Sequence, residues 1–296
     1  MTNNPIFKGI ATALITPFAA SGEVDYESYG RLIDWQIESG IDALVACGTT
    51  GEGPTLTDDE HKEVIRYTVE RSAGRVPVIA GTGSNDTEHG LYMSQVAADA
   101  GADALLHVTP YYNKTTQKGL IQHYTYIADR VKCPVILYNV PSRTGLNISV
   151  DTYKVLSQHP NINGVKEASG NIGQVMHILS ACGDDFNVWS GNDDEIVPMI
   201  GAGAQGVISV LANICPKETV ELTHACLNGD YATARALQFK YIDLIDALFC
   251  ETNPIPVKTA MNMLGYEVGN LRMPLCEMEE KNALRLENAL KNVGLL

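Results

Sequence analysis

A lysine stands near the end of a short apolar stretch in the segment INGVKEASGN, residues 162–171. Lysine is seldom fully buried, and at a strand end it usually keeps its ammonium group in water. A lysine held in a cleft behaves differently, because desolvation favours the neutral amine, which attacks carbonyl carbon. Side chains alternate along a strand, so Lys166 shares its face with two small residues, Gly164 and Ala168. If that face points into the protein, the sequence predicts Lys166 as a nucleophile with room around its amine.

Polar residues that could assist such a lysine follow other apolar stretches of the chain. Tyr138 could donate and accept protons, and Arg143 has the planar guanidinium that binds a carboxylate through two hydrogen bonds. Thr49 and Thr50 offer hydroxyl and backbone N–H groups. Each also has an ordinary structural interpretation, as a core tyrosine, a solvent-exposed arginine, or threonines that form and cap a turn. The six polar segments are CGTTGEG (47–53), GTGSND (81–86), TPYYNK (109–114), YNVPSRTG (138–145), KEASGN (166–171) and SGNDD (190–194).

The elements that must position these residues form a repeating pattern of apolar stretches and helix-like segments. Near-continuous apolar strands are typical of parallel sheets, and strands that alternate with helices indicate βα units. Eight units within about 230 residues favour a (β/α)8 TIM barrel, in which active-site residues lie at the carboxyl ends of the strands. A doubly wound open sheet is the alternative. The eight stretches are 9–18, 42–50, 76–83, 102–110, 133–141, 162–169, 186–192 and 206–213.

The pattern divides the chain into two regions. Residues 1–229 carry the strand signals and are predicted to form the barrel with the active site. Residues 230–296 show only amphipathic helical periodicity and are predicted to form a C-terminal helical appendage. Within the barrel, the segment that starts at Thr57 has acidic residues in its first turn and ends at Gly74, which is typical of a capped helix.

Composition argues against several classes of function. The chain has 296 residues, of which 45% are hydrophobic, and a formal net charge of −14. This charge argues against nucleic acid and acidic membranes as partners, because no basic stripe neutralises phosphates. No secretory signal and no apolar run of about 18 residues is seen, so no membrane span is expected. Seven cysteines without a C-x-x-C pair and seven histidines without H-E-x-x-H predict free thiols, a cytoplasmic location and no metal site.

Three other signals receive structural interpretations. GAGAQG (201–206) matches a dinucleotide-binding pattern by its letters, but it precedes a strand instead of linking a strand to a helix. Asp193 and Asp194 follow the seventh strand, where many barrels bind phosphate, and two acids there disfavour a phosphorylated substrate. Lys258 lies in the helical segment NPIPVKTA and is expected to hold its amine in water.

Taken together, the motifs GTTGE, AGTGSN, TPYYN, YNVPSRTG, KEASGN and GVISVLAN resemble those of the dihydrodipicolinate synthase family over almost the whole chain. Members of this family are pyruvate-dependent, class I aldolase-type enzymes of lysine biosynthesis. The resemblance implies that Lys166 forms a Schiff base with pyruvate, which then condenses with aspartate semialdehyde without a cofactor or metal. It also implies a homotetramer built as a dimer of dimers.

The resemblance assigns roles to further residues. Tyr138, Thr49 and Tyr112 match the family's proton-relay trio, with Tyr112 reaching in from a neighbouring subunit. Thr50, together with Thr49, matches the site for the pyruvate carboxylate. Arg143 matches the arginine that holds the carboxylate of aspartate semialdehyde. Two positions match backbone that lines the lysine's pocket, namely Gly191 and Ile208.

Two alternatives to this activity stay open. N-acetylneuraminate lyase and the 2-keto-3-deoxy sugar acid aldolases belong to the same superfamily and share the lysine and the tyrosine. The SRTG segment with Arg143 argues against them, because the lyases differ there. A non-catalytic regulator or binding protein on a retained barrel is the other alternative, since a fold does not determine a function. Such a protein would gain no covalent adduct from pyruvate and borohydride, whereas an enzyme of this type would be labelled at Lys166.

Regulation is where the sequence departs from the family pattern. In family members that lysine inhibits, lysine binds between subunits near the rim. His89 stands where a glutamate would hold the lysine ε-ammonium, Asp58 where a histidine is often found, and Gly53 and Pro54 replace small side chains. An imidazole cannot supply the missing negative charge, so weak or absent inhibition by lysine is expected. The positions of this possible allosteric site are Leu56, Asp58, His61, Asn85, His89 and Tyr111.

Overall fold

The structure of the protein is a computed structural model that describes residues 4–296. In this part of the chain, eight parallel strands close into a barrel in sequence order, because β1 also pairs with β8. Closure excludes the doubly wound open sheet and confirms the predicted (β/α)8 barrel. The strands are β1 (Gly9–Ala13), β2 (Ala43–Ala46), β3 (Val78–Gly81), β4 (Ala104–Val108), β5 (Val135–Asn139), β6 (Ile162–Glu167), β7 (Asn187–Ser190) and β8 (Gly206–Ser209).

Helices follow the strands along the chain, as the alternating pattern predicts. The observed strands are shorter than the predicted stretches, because each stretch also contains residues of the loop that follows its strand. These helices are α1 (Tyr26–Glu38), α2 (Asp58–Ser72), α3 (Thr87–Asp99), α4 (Gln117–Ala128), α5 (Pro141–Thr144), α6 (Val150–Leu156), α7 (Ile172–Cys182), α8 (Ile196–Gly201) and α9 (Pro216–Leu227).

Helix α2 shows how the local sequence sets the ends of a helix. The Thr57 hydroxyl accepts a hydrogen bond from the Glu60 N–H at 3.3 Å, and the Glu60 carboxylate accepts one from the Thr57 N–H at 2.9 Å. This capping box satisfies N–H groups that have no partner inside the helix. At the other end, Ala73 and Gly74 adopt left-handed backbone with φ of 50° and 71°. The predicted start and end of this helix are confirmed.

Alternate residues of each strand point into the barrel. Lys166 in β6 pairs in register with Tyr138 in β5 and with Trp189 in β7, so these three side chains share a face. That face is the interior, where the Trp189 ring is fully buried and stacks on Phe7 with 5.1 Å between ring centroids. Val165, on the opposite face, packs in the apolar layer around the barrel. The inward direction predicted for Lys166 is therefore confirmed.

Three helices at the end of the chain pack onto the barrel. Helix α10 contacts α8, α9 and α12, and the apolar residues of this region share one core with Ile15 and Leu211 of the barrel. Their helical character is as predicted, and the division at residues 229 and 230 stays a prediction. None of the helices described within residues 4–296 has the length and apolarity that crossing a membrane requires. The three helices are α10 (Tyr231–Leu248), α11 (Ile255–Met263) and α12 (Glu280–Val293).

The prediction for Lys258 is wrong. Its side chain in α11 is 1% exposed, and its ammonium group lies 2.9 Å from the carboxylate of Glu52. Glu52 is 206 residues away along the chain, so the local pattern around Lys258 contains no sign of this partner. A lysine on an amphipathic helix is usually exposed, and here a distant carboxylate makes the buried position possible.

Candidate active site

Lys166 lies at the carboxyl end of β6 with its amine inside the barrel mouth. The residue is 6% exposed, and its amine stands 4.5 Å from the centre of the Tyr138 ring. Burial lowers the pKa of Lys166 to about 8, an effect that the negative charge of Asp193 opposes and the positive charge of Arg143 reinforces. An amine of this pKa is largely neutral in mildly basic solution, which is the form that attacks a carbonyl carbon.

A cavity of about 490 Å³ opens above the amine at the rim of the barrel. It brings together side chains from the ends of several strands, as expected for the carboxyl face of a barrel. Residues 249–253, from the loop between α10 and α11, close one side of this cavity. The residues of the sequence prediction that line it are Thr49, Thr50, Tyr138, Arg143, Lys166 and Gly191.

Gly191 makes room for the lysine side chain. A Cβ atom at this position would lie 2.7 Å from the Cβ of Ala168 and 2.9 Å from the Cε of Lys166, too close for either contact. The Gly191 N–H donates to the Glu167 carbonyl at 2.8 Å, which fixes the backbone against β6. Ile208 is fully buried inside the barrel on β8, two residues before Val210, which lines the cavity.

Tyr138 and Thr49 stand together beside the amine. Burial raises the pKa of Tyr138, while the charge of Arg143 and a hydrogen bond with the Thr49 hydroxyl lower it. The phenol is therefore protonated at neutral pH and can donate its proton, and the hydroxyl next to it can accept one and pass it on. The geometry suits a short proton relay that leads to the oxygen atom of a carbonyl group bound beside the Lys166 amine.

Asn253 is a cavity residue that the sequence analysis missed. Its side-chain N–H donates to the Thr50 hydroxyl oxygen at 3.0 Å, and its backbone carbonyl accepts from the Arg143 guanidinium at 3.0 Å. The residue is 5% exposed, and its peptide bond to Pro254 is cis. Its Oδ1 atom is buried and has no hydrogen-bond partner among the described residues. Asn253 thus connects the two side chains predicted to bind carboxylates.

Tyr112 does not line the cavity of its own chain. It is 91% exposed and has a φ of 67°, a left-handed backbone that is rare for a bulky residue. Such strain is often found where a side chain is held out for a function. The prediction that Tyr112 acts in a neighbouring subunit stays a prediction.

A second cavity of about 410 Å³ runs from Lys166 towards α2 and α3. His89 Nε2 lies 3.1 Å from the Asp58 carboxylate, so these two residues partner each other. Asn85 donates to the Tyr111 carbonyl at 3.2 Å. His61 contacts the Gly81 carbonyl at 2.8 Å, and burial lowers its pKa. The positions predicted for an allosteric site that line this cavity are Leu56, Asp58, His61, His89 and Tyr111, together with Gly53 and Pro54.

Asp193 occupies the place where many barrels bind phosphate. One of its carboxylate oxygens accepts from the N–H groups of Val210 at 3.0 Å and Leu211 at 2.9 Å, at the turn after β8. Burial raises its pKa, and these hydrogen bonds oppose that shift. The Asp193 carboxylate already accepts the hydrogen bonds that these N–H groups could give to a phosphate. This agrees with the expectation against a phosphorylated substrate. Within residues 4–296, no group of three or more His, Cys, Asp and Glu side chains is arranged to hold a metal ion.

Comparisons with known proteins agree over the full length of the chain. A profile of the Dihydrodipicolinate synthetase family matches residues 6–293. The 4-hydroxy-tetrahydrodipicolinate synthase of Caldicellulosiruptor saccharolyticus is 57% identical over 291 residues, covering 98% of both chains. Among solved structures, dihydrodipicolinate synthase from Aquifex aeolicus has a TM-score of 0.95 at 48% identity, covering 98% of this chain and 99% of that one. The enzyme from Thermotoga maritima has a TM-score of 0.95 at 45% identity, covering 98% of this chain and 100% of that one.

Proposed function

The chain belongs to the dihydrodipicolinate synthetase family, and we propose that it condenses pyruvate with L-aspartate 4-semialdehyde through a Schiff base on Lys166. The product is 4-hydroxy-tetrahydrodipicolinate, an intermediate of lysine biosynthesis through diaminopimelate. The observation that carries this proposal is the place of Lys166, whose amine lies at the barrel mouth beside Tyr138, in a cavity with Thr50 and Arg143 in its wall.

The chemistry follows from a neutral amine next to a proton donor. Lys166 attacks the ketone carbon of pyruvate, and the ketone oxygen leaves as water after two proton transfers. The protonated imine withdraws electrons, so a methyl proton is lost and an enamine forms. The enamine carbon attacks the aldehyde carbon, and the aldehyde oxygen takes up a proton. The substrate's own amine then attacks the imine carbon, closes the ring and displaces Lys166 as a free amine.

Polar residues of the cavity supply the remaining functions in this proposal. Tyr138 donates and takes up the protons of imine formation, with Thr49 beside it and Tyr112 of a neighbouring subunit completing the relay. Thr50 binds the pyruvate carboxylate, and Arg143 binds the carboxylate of the semialdehyde. The exposed, left-handed Tyr112 supports an assembly of subunits, which we propose to be a homotetramer built as a dimer of dimers. Seven free cysteines suit a cytoplasmic location.

The proposal is tested by the steady-state rate with pyruvate and aspartate semialdehyde, coupled to the NADPH-dependent reductase that consumes the product. N-acetylneuraminate and a 2-keto-3-deoxy sugar acid are assayed in parallel for cleavage. We expect turnover with the semialdehyde and a borohydride-trapped pyruvate adduct on Lys166. Turnover of a sugar acid alone would support the Schiff-base chemistry and show that aspartate semialdehyde is the wrong aldehyde substrate. A folded protein that forms no adduct would contradict the mechanism.

The rate of imine formation should rise with pH and level off above an apparent pKa of about 8. Only the neutral amine attacks, and burial lowers the pKa of Lys166 to about 8, whereas an ordinary lysine stays charged up to about 10.4. The measurement is rapid borohydride trapping with pyruvate across a range of about pH 6 to 10, with the adduct quantified by mass spectrometry. A rate that continues to rise to the upper end of this range would show an amine of ordinary pKa.

Free lysine should inhibit the enzyme weakly or not at all. His89 and Asp58 already partner each other. No glutamate carboxylate therefore stands at position 89 to bind the ε-ammonium group of lysine. His89→Glu should lower the lysine concentration for half-inhibition by about fivefold, the effect of one exposed ion pair. His159→Glu is a matched control, because His159 also partners an aspartate, Asp129, at 3.0 Å. Strong inhibition of the unaltered protein at low lysine concentration would contradict the prediction.

A further inference from the structure

A buried ion pair joins the turn after β2 to helix α11. The Lys258 ammonium lies 2.9 Å from the Glu52 carboxylate, and the two side chains are 1% and 0% exposed. Lys258 also donates to the carbonyls of Thr16 at 3.1 Å and Asn270 at 2.8 Å, so all three ammonium protons have acceptors. A buried ammonium group whose three protons are all hydrogen-bonded is fixed in position, because any other position would lose at least one of these hydrogen bonds.

Glu52 belongs to the same tight turn as the two threonines of the cavity. Its N–H donates to the Thr49 carbonyl at 3.1 Å, and its backbone is left-handed with a φ of 53°. The second carboxylate oxygen of Glu52 accepts a hydrogen bond from the backbone N–H of Arg272 at 2.9 Å. The Thr16 hydroxyl donates to the Gly51 carbonyl at 2.7 Å, which holds the turn from the other side. The ion pair and these hydrogen bonds therefore join this turn to the segment after β1 and to the C-terminal region.

Lys258 lies in the first turn of α11, five residues after Asn253, which bridges the cavity. Its N–H donates to the Pro254 carbonyl at 3.0 Å, and Asn253 precedes that proline. Asn253 contacts the Thr50 hydroxyl through its side chain and the Arg143 guanidinium through its carbonyl. A shift of α11 against the turn would therefore move Asn253 relative to both of these side chains.

We propose that Glu52 and Lys258 form a positioning pair that fixes the distance between Thr50 and Arg143, and so the spacing of the two carboxylate subsites. The inference rests on the proposed function, because it uses the substrate roles assigned to Thr50 and Arg143. Two substrates that react with each other must be held at a defined separation, and a misplacement of about 1 Å can cost about 10²-fold in rate.

Stability alone is a weak reason for such a pair. A buried ion pair is often no more stabilising than apolar side chains of the same volume, because both charges lose their hydration. An apolar pair would also fill the space beside Phe18, whose ring centre lies 4.4 Å from the ammonium. It could not make the directed hydrogen bonds to Thr16, Asn270 and Arg272 that fix the turn and the helix in register.

The test compares three variants with the unaltered protein: Glu52→Gln, Lys258→Met and the double substitution. For each, we measure the KM of both substrates, kcat, and the pyruvate concentration that gives half-maximal borohydride trapping on Lys166. Each single variant should raise both KM values and lower kcat by about tenfold or more, because the two carboxylate subsites and the substrates bound there are displaced relative to each other. The effects should not be additive in the double variant, because the two residues act through one contact.

Ile178→Ala is the control for loss of stability. Ile178 is fully buried in α7, on the layer around the barrel, and its truncation lowers the melting temperature by leaving a cavity. This variant should keep both KM values. If the ion-pair variants resemble it, with a lower melting temperature and unchanged KM values, the pair is only structural and the inference is overturned.

A single variant leaves one buried charge unpaired and can fail to fold. The double variant leaves none and then carries the test, since it should fold and still show raised KM values for both substrates. A folded double variant with the KM values of the unaltered protein would overturn the inference. Failure of the proposed function would look different, because the unaltered protein itself would then not turn over aspartate semialdehyde, with or without a trapped pyruvate adduct.

Discussion

Lys166→Ala should reduce the rate of condensation by about 10³-fold or more, because it removes the amine that we propose to form the covalent intermediate. The side chain is buried in the barrel mouth, and no other amine lines the cavity among the described residues. Without it, pyruvate has no imine, and its methyl proton has no electron sink. The measurement is kcat/KM with both substrates, together with mass spectrometry after borohydride treatment with pyruvate.

An exposed lysine provides the control for this substitution. Lys217→Ala on α9 removes an amine from the surface and should leave both the rate and the adduct unchanged. Lys166→Ala should remain folded, since truncation enlarges a cavity that already exists at the rim. An adduct that persists in Lys166→Ala, for example on Lys258, would show that the nucleophile has been assigned to the wrong residue.

The barrel and most of its rim residues could be predicted because they leave local signals in the sequence. Apolar strands that alternate with helices specify parallel βα units, and eight such units favour closure into a barrel, which the pairing of β1 with β8 shows. The period of two along β6 places Lys166 and Ala168 on the inner face, as observed. Polar segments after six strands meet at one rim because all eight strands are parallel, so chemistry-bearing residues far apart in sequence become neighbours.

The residues that complete the cavity from the C-terminal region could not be predicted in this way. Asn253 stands before a proline and looks like an ordinary turn residue, and its contact with Thr50 spans 203 positions. Lys258 looks like a surface lysine, because its carboxylate partner lies 206 residues away on another element. Periodicity reports which face of a helix is buried, and it does not report which distant charge meets that face. Contacts between residues this far apart in sequence can be recognised only in the folded structure.

Tyr138→Phe should lower kcat by about 10²- to 10⁴-fold, the usual contribution of a positioned proton donor. The change removes the hydroxyl and keeps the ring that stands 4.5 Å from the Lys166 amine. Burial of the lysine, the main cause of its lowered pKa, is therefore retained. We expect the pH dependence of trapping to keep its apparent pKa while the rate of imine formation falls. The measurement is single-turnover trapping with pyruvate, beside steady-state rates with both substrates.

Tyr124→Phe separates loss of a relay hydroxyl from loss of any buried hydroxyl. Tyr124 is also fully buried, and its hydroxyl has no hydrogen-bond partner among residues 4–296, so its removal should change the rate little. If Tyr138→Phe instead shifted the apparent pKa of trapping and left the plateau rate intact, Tyr138 would act on the charge of Lys166 and not on protons of the substrate. A lower plateau with an unchanged pKa is the result that a proton relay requires, because the hydroxyl then acts after the amine has become neutral.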